Sequence, residues 1–423
     1  MKAMRAAGVR RAYVITDPKT QKIKASLPAL APMVAALSEH PDYYAHQGLF
    51  YEIGEKSGHL LSATVHKTRR GQAAGGVRFW RYETLGDFVR DGLRLSRGMG
   101  HKNALAGLWW GGGKGVIARQ DGVDHKDPAI REAIYRDYGL FISGLRGCYV
   151  TAEDVGTTPP DMANIFTTTR HTTCIPEAFG GSGNPSQATA RGVVVAMEAA
   201  LHHLGMGSLE GKRVALQGLG NVSRFMLDEL LARKVGHVVG VDIDAGLLDE
   251  VRAAHPDAPL ALRQVALDDM SILAEDVDIV APNATGAILN PKTIPTIQAK
   301  IVCGAANNQL EVAARDGRAI RAQGVLYVPD FLNNRMGIVY VANEQYGTLD
   351  DDPAIQAHYE REPKHGVFQR SLEVFRRAKE RDSSTAEEAE LLAEELMAEP
   401  HPIWPDRSQA VMDALVATGW DKQ

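Results

Sequence analysis

Residues 212–223 read Lys212-Arg213-Val214-Ala215-Leu216-Gln217-Gly218-Leu219-Gly220-Asn221-Val222-Ser223. The apolar run before Gly218 predicts a buried strand, and the pattern G-x-G-x-x-small opens a helix that we expect to reach about Lys234. Ser223 replaces a third glycine and is small enough to keep the helix close to the strand. The stretch therefore predicts the first strand–turn–helix unit of an α/β domain with a parallel sheet.

A second predicted strand, residues 237–241, ends at Asp242, which lies 24 residues after Gly218. In dinucleotide-binding domains the first glycine makes the turn, the second admits the pyrophosphate, and the acid accepts the ribose hydroxyls. Asp242 would repel a 2′-phosphate, and residues 243–248 contain no Arg or Lys, which favours NAD over NADP. The predicted cofactor-binding residues of this unit are Gly218, Gly220, Asn221, Val222 and Asp242.

Three further strands are predicted at residues 278–281, 300–303 and 325–328, and each is followed by polar or small residues. Ligands bind at the carboxyl ends of parallel strands, so Asn283 and Asn307 are candidate cofactor contacts. Taken singly, each of these segments could equally be an ordinary turn between a strand and a helix.

The bulk composition excludes several classes of protein. A chain of 423 residues favours two domains, and a net charge of −5 argues against a nucleic-acid binder. No apolar run reaches the length of a membrane span. The three cysteines show no metal-ligand spacing and favour a reducing, cytoplasmic location with no metal site. Residues 1–24 are basic and are expected to form a short extension or interface arm.

The first half of the chain contains the glycine-rich run Gly111-Gly112-Gly113-Lys114-Gly115, with apolar residues on both sides. Glycines permit a tight bend, and a lysine held between apolar walls loses hydration. Desolvation lowers a lysine pKa, which would make Lys114 a base near neutral pH. The alternative is a glycine-rich surface turn that contains a lysine.

Two other charged residues lie close to predicted element ends. A helix predicted over residues 85–99 places Lys102 just before the glycine run, where two lysines could hold a small carboxylate substrate. Alternatively, Lys102 compensates the helix dipole. Asp154 follows a strand-like segment and could relay protons, although an acid at that position could equally cap the next helix.

The turn-rich stretch 180–186 is the best candidate for a hinge. We expect a first domain of residues 1–186, joined by C-terminal helices from 351–423, and a second domain of residues 187–350. Thr385 and Glu388 suggest a capping box at the start of the last predicted helix. The predicted fold is therefore α/β with two domains and a cleft between them, the second domain being a Rossmann-type NAD-binding domain.

Together, residues 42–347 resemble the glutamate/leucine/phenylalanine/valine dehydrogenase family, and its leucine-specific members most closely. The motifs that carry the resemblance are Gly75-Gly76-Val77-Arg78-Phe79-Trp80, Met99-Gly100-His101-Lys102-Asn103-Ala104, Gly111-Gly112-Gly113-Lys114, residues 151–158, Gly183-Asn184-Pro185-Ser186, Ala305-Ala306-Asn307-Asn308-Gln309-Leu310 and Glu344-Gln345-Tyr346-Gly347. The implied fold has an N-terminal α/β substrate and oligomerisation domain, and the implied assembly is a homo-oligomer.

The resemblance implies a role for each matching residue. Lys102 matches the lysine that pairs with the substrate α-carboxylate, and Lys114 matches the lysine that activates water. Asp154 matches the acid that shuttles protons to and from the substrate nitrogen, whereas Thr189 and Asn307 match residues near the nicotinamide. The implied reaction is the NAD-dependent, reversible oxidative deamination of an L-amino acid to a 2-oxo acid and ammonium.

Two positions indicate the substrate class. Glutamate-specific relatives carry a lysine and a serine where this chain has Ala74 and Val341, so both anchors for a side-chain carboxylate are missing. An apolar side chain is therefore expected. Ala152 is typical of the branched-chain enzymes, while Ala74 is smaller than the leucine usual there and leaves a larger side chain possible. By resemblance, the substrate-binding residues besides Lys102 are Ala74, Gly76, Met99, Ala152, Ile338 and Val341.

One segment departs from the family pattern, because Asn334-Arg335-Met336-Gly337 replaces Asn-Ala-Gly-Gly. Either Arg335 turns outward to an interface, or it reshapes the site. The alternatives to an apolar amino acid dehydrogenase are therefore a glutamate dehydrogenase and a catalytically silent NAD-binding regulatory protein.

Overall fold

Two sheets organise the chain, one in each of two units, in the computed structural model, which describes residues 1–349 and 351–423. Unit 1 comprises Met1–Gly183, Val341–Thr348 and Ala393–Gln423. Unit 2 comprises Asn184–Tyr340 and Leu349–Leu392. No helix among the described residues is long and apolar enough to cross a membrane.

Unit 1 is built on a mixed sheet. Its strands are β1 (Arg11–Thr16), β2 (Ile23–Ala25), β3 (Gly48–Ile53), β4 (Leu60–Val65), β5 (Ala73–Trp80), β6 (Gly111–Ala118) and β7 (Tyr149–Glu153). The helices up to residue 183 are α1 (Lys2–Ala6), α2 (Ala31–Ser38), α3 (Leu85–Leu105), α4 (Pro128–Gly144) and α5 (Pro159–Phe166). The strand order is β2-β1-β3-β4-β6-β5-β7. β5 pairs in parallel with β6 and β7, and the other neighbouring strands are antiparallel.

The glycine run forms the interior strand β6, between β4 and β5, and not the bend that we expected. A Cβ at Gly112 would collide with the Ser96 carbonyl oxygen of α3, and a Cβ at Gly115 would collide with the Tyr138 hydroxyl of α4. The glycines therefore serve close packing of two helices on the strand, since they lack the atom that would keep the helices away. Lys114 consequently stands on a rigid, buried strand.

Helix α3 is longer than predicted and continues to Leu105, so that Lys102 lies in its last turn. Thr84 caps its start by accepting a hydrogen bond from the Asp87 N–H at 3.1 Å. At the other end, the Asn103 side chain donates to the carbonyl oxygens of Gly111 at 2.8 Å and Ala74 at 3.3 Å. Tertiary bonding to β5 and β6 thus carries the helix past glycines that suggested an earlier end.

Unit 2 contains the predicted parallel sheet. Its strands are β8 (Arg213–Gln217), β9 (His237–Asp242), β10 (Leu260–Gln264), β11 (Ile279–Pro282), β12 (Ile301–Val302) and β13 (Leu326–Tyr327). The strand order is β10-β9-β8-β11-β12-β13 with every pair parallel, which is the doubly wound arrangement of dinucleotide-binding domains. The helices after residue 183 are α6 (Ser186–Leu204), α7 (Asn221–Ala232), α8 (Ala245–Ala254), α9 (Ala313–Ala322), α10 (Asp330–Asn333), α11 (Met336–Ala342), α12 (Pro353–Gln356), α13 (Val367–Glu380), α14 (Thr385–Met397) and α15 (Arg407–Ala417).

The C-terminal helices divide differently from the boundaries drawn on the sequence. Residues 349–392 belong to unit 2, whereas we had grouped 351–423 with the first domain. The reason is aromatic packing, because Phe368 and Phe375 of α13 lie 5.6 and 5.2 Å from the rings of His202 and His203 on α6. The first division of the chain falls at 183/184, inside the turn-rich stretch 180–186.

The cap of α14 is also one residue earlier than we expected. The Ser384 hydroxyl accepts a hydrogen bond from the Glu387 N–H at 3.2 Å, and the Glu387 carboxylate accepts one from the Ser384 N–H at 3.1 Å. This reciprocal pair is a capping box. The Thr385 hydroxyl instead donates to the Tyr327 carbonyl oxygen at 2.6 Å, which ties the helix to β13.

Candidate active site

A buried ion pair joins the middle of β6 to the residue that follows β7. The Lys114 amine lies 2.8 Å from Oδ2 of Asp154, and the Lys114 side chain is only 4% exposed. Burial lowers the pKa of Lys114 below its usual value, although the Asp154 charge opposes this change. Burial alone would raise the pKa of Asp154, but the nearby charges of Lys114 and Arg78 lower it to about 2. The pair thus joins an ionised acid to an amine with a weakened hold on its proton.

The structure excludes the capping interpretation of Asp154. The cap of α5 is a box formed by Thr158 and Asp161, so Asp154 is not needed for capping. Its carboxylate faces Lys114 instead, and the loop behind it is fixed by Thr157, whose hydroxyl accepts a hydrogen bond from the Asp154 N–H at 2.9 Å. The hydrogen bond between the Asp154 N–H and Thr157 therefore holds this residue in place.

Arg78 is a site residue that the sequence interpretation did not single out. Its Nε donates to Oδ2 of Asp154 at 3.0 Å, the same oxygen that faces Lys114. Strand β5 directs the guanidinium to this position, and the side chain is 19% exposed. The signal that could have found it is its place in the glycine-rich strand motif of residues 75–80.

Lys102 and Met99 lie on the end of α3 that covers β5 and β6. The Asn103 amide anchors this end to both strands, and a Cβ at Gly75 would lie 2.8 Å from Cγ of Met99. Lys102 also occupies the last helical turn, where its charge is favourable to the helix dipole. The dipole interpretation and the substrate-binding interpretation are therefore both compatible with its position.

Small residues surround the ion pair on the sheet. Ala74 and Ala152 are buried, and Ala152 pairs with Gly76 across β5 and β7. A Cβ at Gly76 would lie 2.5 Å from the Glu153 carbonyl oxygen and 2.7 Å from Cβ of Asp154. Gly76 is therefore required for the position of Asp154.

The glycine-rich turn of unit 2 has the geometry of a phosphate-binding turn. Gly218 has φ +85°, and a Cβ there would lie 2.7 Å from Cβ of Ala284, so only glycine fits. Gly220 precedes α7, and a Cβ at that position would meet no atom within 4 Å, so the backbone there is open to a ligand. Asn221 and Val222 form the first turn of α7, where N–H groups favour an anion.

Asp242 lies at the end of β9, as the sequence predicted. Its Oδ2 accepts a hydrogen bond from the Leu219 N–H at 2.7 Å, and its Oδ1 accepts one from the Asp244 N–H at 3.0 Å. The carboxylate therefore orders the glycine-rich turn before any ribose is bound. These contacts fit a dinucleotide, because the turn, the helix start and the acid all lie at one sheet edge.

Asn283 and Asn307 lie after β11 and β12, at the same edge of the sheet. Oδ1 of Asn283 accepts a hydrogen bond from the Ala305 N–H at 2.7 Å, so this side chain ties two turns together. Oδ1 of Asn307 accepts one from the Asn334 amide at 2.8 Å. Thr189 lies against Gly337, where a Cβ would be 2.8 Å from its hydroxyl oxygen. Residues 334–337 therefore contact both of the predicted nicotinamide neighbours.

The remaining predicted pocket residues, Ile338 and Val341, are buried on α11. Ile338 belongs to unit 2 and Val341 to unit 1. Among the residues that the structure describes, no group of His, Cys, Asp and Glu side chains could hold a metal ion.

Family models match most of the chain. Residues 59–171 match the model described as Glu/Leu/Phe/Val dehydrogenase, dimerisation domain, and residues 180–399 match that of glutamate/leucine/phenylalanine/valine dehydrogenase. The chain belongs to the glutamate/leucine/phenylalanine/valine dehydrogenase family. It is an amino acid dehydrogenase with a nucleotide-binding domain.

Individual members of this dehydrogenase family resemble the chain over most of its length. A leucine dehydrogenase of Bacillus subtilis is 41% identical over 342 residues, which are 81% of this chain and 89% of that protein. A valine dehydrogenase of Streptomyces coelicolor is 36% identical over 86% of this chain and 95% of its own. The crystal structure of an L-tryptophan dehydrogenase from Nostoc punctiforme superposes with a TM-score of 0.69 at 32% identity, covering 83% of this chain and 96% of that one.

The unusual arginine of this dehydrogenase is buried inside unit 2. Arg335 is 0% exposed, and its guanidinium donates to the His365 carbonyl oxygen at 2.5 Å. Burial and the nearby charge of Arg370 lower the pKa of Arg335 to about 9. Met336 is buried against Gly192 of α6. Within the chain, Arg335 therefore does not turn outward. It ties residues 334–337 to the segment before α13.

Proposed function

We propose that the chain catalyses the NAD-dependent, reversible oxidative deamination of an apolar L-amino acid to a 2-oxo acid and ammonium. The observation that carries this proposal is the buried Lys114–Asp154 pair, with 2.8 Å between amine and carboxylate. Removal of a substrate proton and activation of water each require a base. The pair offers two candidates, an ionised carboxylate and an amine whose pKa is lowered by burial. The leucine and valine dehydrogenases among the relatives support the substrate class.

The chain's residues divide the proton transfers between them. Asp154 takes a proton from the substrate ammonium group and later returns one to the leaving nitrogen. NAD, which Gly218, Gly220 and Asp242 would hold, would supply the acceptor for the hydride of the substrate Cα, and the substrate would be left as an imine. Lys114, in its neutral form, takes a proton from water as the water oxygen attacks the imine carbon. The carbon–nitrogen bond of the resulting carbinolamine then breaks as its hydroxyl proton passes to the departing ammonia, and the products are the 2-oxo acid and ammonium.

The binding roles follow the same scheme. Lys102 would pair with the substrate α-carboxylate, because its helix end is anchored to the strand that carries Lys114. Thr189 and Asn307 would flank the nicotinamide, and Asp242 would accept the ribose hydroxyls. The absence of Arg or Lys in residues 243–248 supports NAD over NADP.

The substrate side chain would meet apolar and small residues. Ala74 and Val341 are both buried and offer no partner for a carboxylate, which would cost several kcal/mol to bury unpaired. Ala74, Gly76 and Ala152 carry at most a methyl group, so the site would accept branched side chains, and the small Ala74 would also admit larger ones. The tryptophan dehydrogenase among the structural neighbours supports including aromatic substrates in the assay.

The assembly and the location are part of the proposal. The match of residues 59–171 to a dimerisation domain supports a homo-oligomer. The three cysteines are buried and unpaired, which is typical of a reducing compartment and supports the cytoplasm.

The decisive test combines a substrate panel with two variants. NADH oxidation is followed with ammonium and 2-oxoisocaproate, 2-oxoisovalerate, indolepyruvate or 2-oxoglutarate, and is repeated with NADPH. We expect turnover of the apolar acids with NADH. Lys114→Ala and Asp154→Asn should each lower kcat by about 10²- to 10⁴-fold while NADH binding, measured by fluorescence titration, is retained.

The control is Lys126→Ala, which removes an exposed lysine from the loop before α4 and should leave kcat unchanged. Near-normal activity of Lys114→Ala would contradict the assignment. Turnover of 2-oxoglutarate alone would indicate a glutamate dehydrogenase. NADH binding without turnover of any acid would indicate a silent regulatory protein.

A further inference from the structure

The ion pair continues into a longer chain of charged groups. Arg78 donates through Nε to Asp154 and through Nη1 to Oδ2 of Asp91 on α3, with both distances 3.0 Å. The same Asp91 oxygen accepts a hydrogen bond from the Tyr82 hydroxyl at 2.9 Å. Lys114, Asp154, Arg78 and Asp91 therefore alternate in sign and come from β6, the end of β7, β5 and α3.

The two cations meet a single oxygen of Asp154. Lys114 and Arg78 both bind Oδ2, and among the described residues no donor to Oδ1 is found. Oδ1 is therefore the oxygen available to take a proton from a substrate. The arginine also carries a fixed charge, since a guanidinium does not lose its proton at any working pH.

The charges along this chain act on Lys114 in opposite directions. Burial has the largest effect on the pKa of Lys114 and lowers it. Among the charges, Asp154 raises this pKa, Arg78 lowers it and Asp91 raises it. Asp91 is 16% exposed and lines a groove open to solvent together with Tyr82 and Arg94. Asp91 thus lies between solvent and the arginine.

We propose that Arg78 is a positioning residue for the deamination and that Asp91 fixes Arg78 in that role. Arg78 holds Asp154 by Oδ2 so that Oδ1 faces the substrate nitrogen, and Asp91 offsets its charge. This inference rests on the proposed function, because it assigns a task only to groups that act on the proton carriers. Arg78 itself touches neither substrate nor cofactor in this scheme.

Among the residues that the structure describes, the charged groups found to act on the pair come from β5, β7 and α3. Lys114 faces Asp154 at the end of β7, Arg78 on β5 and Asp91 on α3. Asp154 additionally has Glu153 as a neighbour, and burial, Asp161 and Asp154 together raise the pKa of that glutamate. On the neighbouring strand β4, the residue that pairs with Lys114 is Thr64, which carries no charge.

The test measures the pH dependence of kcat/KM for oxidative deamination. A lysine base is active without its proton, so the rate rises with pH through the pKa of Lys114. Asp91→Asn removes a charge that raises this pKa and should move the rising limb to lower pH. Arg78→Gln removes a charge that lowers it and should move the limb to higher pH, by at least about half a unit in each case.

The magnitude of activity provides a second readout. Arg78→Gln should lower kcat by about tenfold or more because Asp154 loses its orientation, whereas KM for NAD should stay unchanged. Arg78→Lys keeps the charge but cannot bridge two carboxylates, so it should restore the position of the limb and only part of kcat. Thermal unfolding and NADH titration confirm that each variant is folded.

The matched control is Arg90→Gln, which removes one charge from α3 at an exposed arginine paired with Asp42. Its pH profile should coincide with that of the wild type. The inference is overturned if Asp91→Asn and Arg78→Gln both keep the wild-type limb and kcat. An inactive wild type would instead defeat the proposed function itself, so the two failures are distinguishable.

Discussion

At the scale of single residues, the site depends on glycines, which lack a Cβ, as much as on charged side chains. Gly76 is the clearest case, because its hydrogen leaves the space in which Asp154 turns toward Lys114. Lys114 and Asp154 were both singled out from the sequence, but each also had a structural interpretation there, a surface turn for the lysine and a helix cap for the acid, and only the fold shows that they meet. Arg78 could not be predicted, because an arginine on a strand ordinarily reaches solvent, and only the fold shows its two carboxylate partners.

Gly76→Ala should therefore disable the enzyme without touching a charged group. The added methyl would lie 2.7 Å from Cβ of Asp154, and displacement of a catalytic group by about 1 Å can cost about a hundredfold in rate. We expect kcat to fall by that order while NADH titration is unchanged. Gly98→Ala is the control, since a Cβ at that α3 position meets no atom within 4 Å and should leave kcat intact. Equal kcat values for the two variants would refute this role of Gly76.

At the scale of elements, apolar runs predicted strands well, whereas the glycine run led to the wrong prediction of a bend. The core strands β8, β9 and β11 were predicted within about a residue, because they are buried and rich in branched residues. β10 was not predicted, since its residues are half-exposed or exposed at the sheet edge. β6 was expected to be a bend, because sequence cannot show that glycines face two packed helices.

The displaced cap of α14 leads to a stability prediction. Ser384→Ala should lower the free energy of unfolding by about 1 kcal/mol, because it leaves the Glu387 N–H without its acceptor. Urea denaturation would measure the change. As a control, Ser38→Ala at the exposed end of α2 removes no such cap and should be close to neutral. A neutral Ser384→Ala would favour the cap at Thr385 that the sequence suggested.

At the scale of the whole molecule, both units bury histidines in the neutral state. Burial lowers the pKa of His46 in unit 1 to about 4, and burial together with Arg335 lowers that of His358 in unit 2 to about 3. The grouping of the C-terminal helices could not be predicted, because an amphipathic helix does not identify the surface that its apolar face will cover.

Because both histidines are buried in the neutral state, we predict that the protein loses stability in acid. An unfolded histidine binds its proton near pH 6.5, whereas His46 in the fold does so only near 4. Its contribution is therefore complete above pH 6.5 and is lost as pH falls toward 4, by up to about 1.4 kcal/mol per pH unit. Urea unfolding at pH 7.5 and 5.5 should show a smaller difference for His46→Gln than for the wild type. His202→Gln, at an exposed position, should match the wild type, and an unchanged difference in His46→Gln would contradict the prediction.

The division of the chain into separate segments limits which fragments of the protein can be prepared. The polypeptide passes from one unit to the other at 183/184, 340/341, 348/349 and 392/393. A fragment ending at residue 183 would lack Glu394, the carboxylate partner of Lys67 and His101. Neither unit can therefore be excised as one continuous piece. A chain split at residue 183 would suit complementation by two co-expressed halves, because the second half brings the missing segments of unit 1 with it.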